Sequence, residues 1–326
     1  MFQQAQLVKL HFLKWIEKFF WPAQSVAEHT DKAEGRMRCG SSLTLCITIN
    51  RMCEERGWSS VVDAGIAILN TADPMLKAQL TTQAYEAFHQ GVLPALPVDC
   101  TPVSSPPDTP ARPADIQVVE PWKAPKRSSS VSLIHSLAHI ESMAIDLSWD
   151  ILARFHACEA LGTRRAEFIA DWLQVPQDEA KHFTMWSCRL EELSSFYGKL
   201  AVHDGLWQSA AETCDSLASR LAVVHMGHEA HGLDVAPVLR SKLLGAGDTT
   251  SAQMLEEIHR EEISHVAFGV KWFKVVCGFQ SEEEQHVSFQ EIFLNRFHGH
   301  LRKPVNIAAR NEAGLTEEWY SKCYRT

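Results

Sequence analysis

Along most of its length the chain places apolar side chains three or four residues apart, and the alternation that marks half-buried strands is scarce. That rhythm predicts an all-α protein. Long helices are expected over 131–158, 164–195, 206–232 and 250–277, with a further helix over 283–298 and an extended tail. Gly162, the stretch from Gly198 to Gly205, and Gly245 with Gly247 supply the breaks. Ahead of these, Asp73-Pro74 reads as an N-cap with proline at the first helical position. Leu76, Leu80, Ala84, Ala87 and Phe88 follow at helical spacing, and another helix is expected from Ser60 through Ile66 and Leu69. Nine of the fourteen prolines fall between Pro94 and Pro125, where they forbid helix and leave few donors for a sheet. The expected organisation is therefore an N-terminal helical part (1–93), a proline-rich connecting arm (94–130), a four-helix bundle with an extra helix (131–300) and a C-terminal tail (301–326).

Charged residues interrupt the apolar stripes at regular places. On the first long helix, Ile134, Ala138, Ile145, Leu152 and Phe155 form the buried face, and Glu141 sits within it. On the second, Glu179 and His182 occupy the middle turn of a stripe running from Phe168 and Trp172 to Trp186 and Leu190. The third carries Leu221, Ala222, His225, Glu229 and Leu233 on one side. The fourth keeps a strict rhythm through Leu255, Ile258, Glu262, His265, Gly269 and Trp272. A single glutamate on such a stripe is most often an edge residue that snorkels to water, and a lone E-x-x-H is common on helices. Two E-x-x-H motifs, each preceded by a striped glutamate one helix earlier, form a different signal.

Four ionised carboxylates in one core repel each other and each lose hydration worth several kcal/mol. Two divalent cations, about +4 in total, would neutralise them, with two imidazoles completing the coordination. An i, i+3 pair projects to one helix face, so Glu179/His182 and Glu262/His265 can each offer an oxygen and a nitrogen to one metal. Single Glu, E-x-x-H, single Glu, E-x-x-H is the ligand order of ferritin-like di-iron and di-manganese carboxylate proteins. Oxygen- and nitrogen-rich ligands suit iron, with manganese as the alternative.

Composition narrows the function classes. The 326 residues are 45% hydrophobic and 22% charged, with a formal net charge of -9, which disfavours holding nucleic acid by phosphate neutralisation. No apolar run is long enough for a membrane helix, and Lys9, Lys14, Glu17 and Lys18 interrupt the first twenty residues as no secretory signal would. Nine cysteines without a C-x-x-C pair fit a reducing interior, so an intracellular location is expected. Sixteen histidines exceed what two ligands require. His225, His228 and His231 cluster around Glu229 without an assigned role, and HEAH at 228–231 has the wrong spacing for a zinc protease.

The segments HSLAHIESMAIDLSWDILARF (135–155), FIADWLQVPQDEAKHFTMWSCRL (168–190), YGKLAVHDGLWQSA (197–210), RLAVVHMGHEAHGLDVAP (220–237), IHREEISHVAFGVKWF (258–273) and KPVNIAARNEAG (303–314) resemble the ferritin-like proteins catalogued as domain of unknown function 455. The resemblance covers most of the chain and implies a ferritin-like bundle with a dinuclear site and no established substrate. Carried over, the ligands fall on Glu141, Glu179, His182, Glu229, Glu262 and His265. The wider di-iron class implies Glu179 and Glu262 as bridges and Glu141 and Glu229 as terminal ligands. Its pattern of an aspartate before each E-x-x-H puts Asp178 in the role of histidine partner, with Glu261 as the longer counterpart on the fourth helix. Three features depart from the expected pattern: Pro176 close to Glu179, His231 where the family usually has arginine, and His228 beside Glu229. The resulting expectation is a di-iron oxidase or oxygenase served by an unidentified small-molecule substrate and electron donor, its oligomeric state open. Ferroxidase-type iron handling and a non-catalytic structural protein are the alternatives. A radical-generating subunit is disfavoured, since Trp186 stands where that class has tyrosine. Asn306 and Arg310 are expected to pin the tail.

Overall fold

The computed structural model describes residues 49–97, 104–278, 281–298 and 301–324. The helical reading of residues 1–48, and the part of the arm at 98–103, lie outside the described residues. Among those described, the protein is all-helical, and its only β pairings are two isolated bridges, Val118 with Val202 and Leu301 with Tyr324. After a helix through 49–56 come α1 (Val61–Leu69) and α2 (Pro74–His89), capped by Ser60 and Asp73. The long elements are α3 (Ser130–Phe155), α4 (Arg165–Glu192) and α7 (Thr249–Cys277). Between them lie α5 (Gly205–Glu212) and α6, a continuous helical path of three segments: Leu217–Arg220, Leu221–His228 and Glu229–Gly245. α8 (Glu282–Arg296) and the short α9 (Ile307–Glu312) and α10 (Glu317–Tyr320) complete the chain.

The third long helix differs from the expected 206–232. It breaks after Glu212 and restarts at Leu217, where the Ser216 side chain accepts from the Ser219 amide, and it continues to Gly245. Its middle segment, Leu221–His228, is π-helical, a widened form of helix that is rare and frequent at functional sites. Pro237 lies inside the last segment, where it lacks the amide that would pair with the Leu233 carbonyl. Asn306 Nδ2 donates to that carbonyl at 3.2 Å instead, and Arg310 forks onto Asp234 at 2.9 and 2.6 Å. The expected extended tail is thus partly helical and fastened over the proline.

Cross-helix contacts set the directions. Glu141 meets Trp186 and His135 meets Gly198, so α3 and α4 are antiparallel. Lys271 reaches Asp171 and Arg189 reaches Asp248, so α4 and α7 are antiparallel. Arg240 on α6 pairs with Glu256 on α7 near their adjoining ends. α6 therefore runs parallel to α4, and residues 193–216 must return along the length of the bundle. They do so beside α3, through His139 with Tyr197 and the His203 carbonyl, and then Arg220 with Asp150.

One continuous core joins Val61, Ile68 and Ala84 of α1 and α2 to Trp149, Trp172 and Trp272. Gly65 permits the closest approach, because a Cβ there would lie 2.6 Å from the Trp149 ring. A buried cluster holds the arm down: Lys77 Nζ lies 2.5 Å from Asp146, which also faces Arg112 at 2.9 Å, while Lys77 donates to the Ala111 carbonyl. Burial draws Lys77 down and pushes Asp146 up, so both charges are held at a cost. Asp146→Ala leaves the buried Lys77 without its anion, while the half-buried Arg112 keeps Asp204 at 3.8 Å, and is expected to destabilise the protein by about 3–5 kcal/mol in chemical denaturation.

Candidate metal centre

The middle turns of α3, α4 and α7 bring Glu141, Glu179, His182 and Glu262 together, with one potential ligand atom from each lying within 4.8 Å of the others. Glu179 and His182, three residues apart on α4, face Glu262 and His265, three apart on the antiparallel α7. His182 Nδ1 is 3.5 Å from Glu179, 3.4 Å from Glu262 and 3.9 Å from Glu141. His265 Nδ1 is 3.1 Å from Glu179 and 3.1 Å from Glu262. Glu179 and Glu262 thus each lie between both imidazoles, using one oxygen toward each.

The outward nitrogens are anchored crosswise. His182 Nε2 contacts Glu261 on α7 at 2.8 Å, and His265 Nε2 contacts Asp178 on α4 at 3.3 Å. Each carboxylate is the residue immediately before the opposite E-x-x-H glutamate. Lys181, at 2.5 Å, together with His182 holds the Glu261 carboxyl down to about 2 even though burial opposes it. With Nε2–H donated outward, each Nδ1 faces the carboxylates, so tautomer and ring orientation are both set. Asp178→Ala and Glu261→Ala are each expected to weaken metal binding by about 10–100-fold, read by competition against a chelator.

Glu141 accepts from Trp186 Nε1 at 3.3 Å. Glu229, on α6 just after the π-helical segment, stands outside the tight group. It shares a cavity of about 120 Å³ with Glu141, Glu179 and Glu262, and lies 3.9 Å from His225 Nδ1. Of the neighbouring histidines, His225 is buried against the Trp172 ring, and neither of its nitrogens has a hydrogen-bond partner among the described residues. His228 pairs with Ser209 at 2.9 Å, and burial brings it down to about 4. His231 is exposed.

Electrostatics shows what the constellation needs. Burial, reinforced by Glu179, pushes Glu141 well above the usual carboxylate range, and burial with Glu262 and Glu179 does the same to Glu229. Burial pulls His182 and His265 down, but the surrounding carboxylates outweigh it and hold both well above the ordinary imidazole value. Among the described residues, both carboxylate oxygens of fully buried Glu179, and His182 Nδ1, have no hydrogen-bond partner. A buried acceptor-only group left this way is costly unless a cation meets it. The hard oxygens and borderline imidazole nitrogens match a divalent metal, so the residues present fit such an ion.

Sequence spacing alone did not indicate Trp186 as a donor to Glu141, nor Arg127 of the arm as part of the cavity wall. Spacing carries no information across helices or from a proline-rich segment.

The sequence profile of the family described as "Protein of unknown function (DUF455)" matches residues 70–321. A Haemophilus influenzae protein described as uncharacterized is 31% identical over 275 residues, which is 80% of this chain and 91% of its own length. No solved structure matches the chain.

Proposed function

The chain belongs to the family of unknown function DUF455, whose description names no activity, and from its site we propose a ferritin-like dinuclear metal protein, a di-iron oxidase or oxygenase acting on a small molecule. The observation that carries this reading is the facing pair of E-x-x-H turns. Two bridging-type carboxylates, Glu179 and Glu262, lie between His182 and His265, and each imidazole is fixed by a carboxylate from the opposite helix. Glu179, Glu262, His182 and His265, with Glu141 and Glu229, are the residues that would hold two ions. The antiparallel pairs and the long return between α4 and α6 support a ferritin-like bundle. Iron is favoured over manganese because two ferrous ions together supply two electrons to dioxygen.

The protein's own residues do the rest. Glu261 and Asp178 hold the two imidazoles in orientation, and Trp186 fixes one rotamer of Glu141. Leu137, Leu147, Leu255 and Ile258 surround the carboxylates with apolar wall and limit water beside them. The adjacent cavity favours turnover of a small molecule over a purely structural metal. Ferrous-loaded protein is expected to consume dioxygen without accumulating a mineral. Iron uptake continuing well beyond about two per chain would indicate ferroxidase-type storage instead, and no oxygen uptake would indicate a non-catalytic site.

A further inference from the structure

The cavity beside the carboxylates has two chemically distinct sets of lining residues. Glu141, Glu179, Glu229 and Glu262 form one, and the rest of the wall is mostly apolar, with Leu147, Leu239, Leu255 and Ile258 among its side chains and His228 and His259 beside them. Arg127 and Gly232, both exposed, line it as well and mark its open side. The Arg127 guanidinium makes no hydrogen bond or ion pair to any described residue, although the chain is acidic overall. A volume of about 120 Å³ is somewhat below the roughly 150 Å³ at which an apolar protein cavity takes up benzene, and with its exposed side open to solvent it gives room for a body of up to about six carbons.

We propose that this chamber is the substrate site and that it takes a small organic anion with an apolar body of about six carbons. The body lies along the leucine and isoleucine wall with its far end at the carboxylate cluster, and the anionic head meets Arg127. Carboxylate and phosphate heads share the planar fork that a guanidinium offers. An arginine without a partner among the described residues and a largely apolar wall, with His228 and His259 as its other polar members, disfavour neutral hydrocarbons, which leave the arginine unused, and sugars, whose many hydroxyls exceed those partners. That the bound molecule is a substrate rests on the oxidase or oxygenase reading; that the chamber binds it does not.

The test is a ligand-observed NMR titration of the zinc-loaded full chain with butanoate, pentanoate, hexanoate, hexyl phosphate and hexan-1-ol, with zinc content measured on the same samples. Affinity is expected to rise roughly fourfold per methylene from butanoate to hexanoate. Hexan-1-ol should bind about tenfold more weakly than either six-carbon anion, and Arg127→Ala should bring hexanoate down to the alcohol's affinity. Gly232→Leu is the blocking variant. A Cβ there meets nothing within 4 Å and leucine favours helix, so the fold and the zinc content should persist while hexanoate binding is lost. Affinity independent of chain length, or binding untouched by Gly232→Leu, overturns the chamber as the site. An alcohol that binds as tightly as the acids overturns the role of Arg127. Zinc content near zero with hexanoate binding intact would contradict the metal reading and leave the chamber standing.

Discussion

Metal affinity is expected to collapse as pH falls, with up to about four protons exchanged for two divalent ions. The metal-free centre holds its protons on Glu141 and Glu229, which burial keeps neutral, and on His182 and His265, which the neighbouring carboxylates keep charged. Two imidazolium charges then balance Glu179 and Glu262, and the core is neutral without metal. Two divalent ions replace those four protons at the same net charge. The combined affinity for both ions should therefore rise with pH, by up to roughly ten-thousandfold per pH unit wherever all four groups still hold their protons. Titration calorimetry in buffers of different ionisation enthalpy counts the protons directly. Release of fewer than about one proton per ion would mean that the four groups are not deprotonated on binding.

The same shifts fix how stability of the metal-free protein depends on pH. All four groups have folded values above their unfolded ones. Glu141 and Glu229 thus contribute fully below their ordinary value of 4.5, and His182 and His265 below 6.5; each contribution is lost as pH rises through the folded value. Glu179, Glu261 and Glu262 are shifted the other way, so their contribution is present above 4.5 and disappears only as pH falls through their lowered folded values. Metal-free protein should therefore lose stability as pH rises above about 4.5, with a further loss above about 6.5 as the histidines join, whereas metal-loaded protein should not.

Glu179→Ala is expected to abolish binding of the metal pair. Glu179 is fully buried, lies between both imidazoles, and offers two oxygens that meet those imidazoles as ion contacts but make no hydrogen bond among the described residues. Alanine removes both at once and leaves a gap that no neighbouring carboxylate spans, since Glu262 already faces the same two histidines. In thermal denaturation, wild-type protein at a metal concentration about a hundredfold above its dissociation constant should gain roughly 2.7 kcal/mol for each ion bound, and the variant should gain nothing. An unchanged metal-dependent shift in the variant would place the ions elsewhere.

Much of this site was legible in the sequence because burial and charge conflict there. Glu141, Glu179, His182, Glu262 and His265 stand on otherwise apolar stripes, and helical periodicity alone places each at a known height on a known face. Four of these five form the tight group with one atom each, and His265 touches its two shared carboxylates. Glu229 was read at the same level, but it lines the cavity outside the tight group, beyond a π-helical turn that a 3.6-residue rhythm does not register. The break at 213–216 was missed for a related reason. Apolar spacing runs on through Thr213 to Ser216, although Ser216 three residues before Ser219 is a capping signal. The passage of helix through Pro237 was unreadable locally, because the compensating donor, Asn306, is far away in sequence. The buried partners Lys77 and Arg112 of Asp146 likewise depend on tertiary packing alone.

Anaerobic titration of metal-free protein with ferrous iron, followed by metal analysis of the desalted product and its near-ultraviolet spectrum before and after exposure to air, asks whether this constellation is a dinuclear metal centre. About two irons per wild-type chain, and a new near-ultraviolet absorption on exposure to air, are expected. Colourless protein that retains no iron, with Glu179→Ala indistinguishable from wild type, would contradict the account.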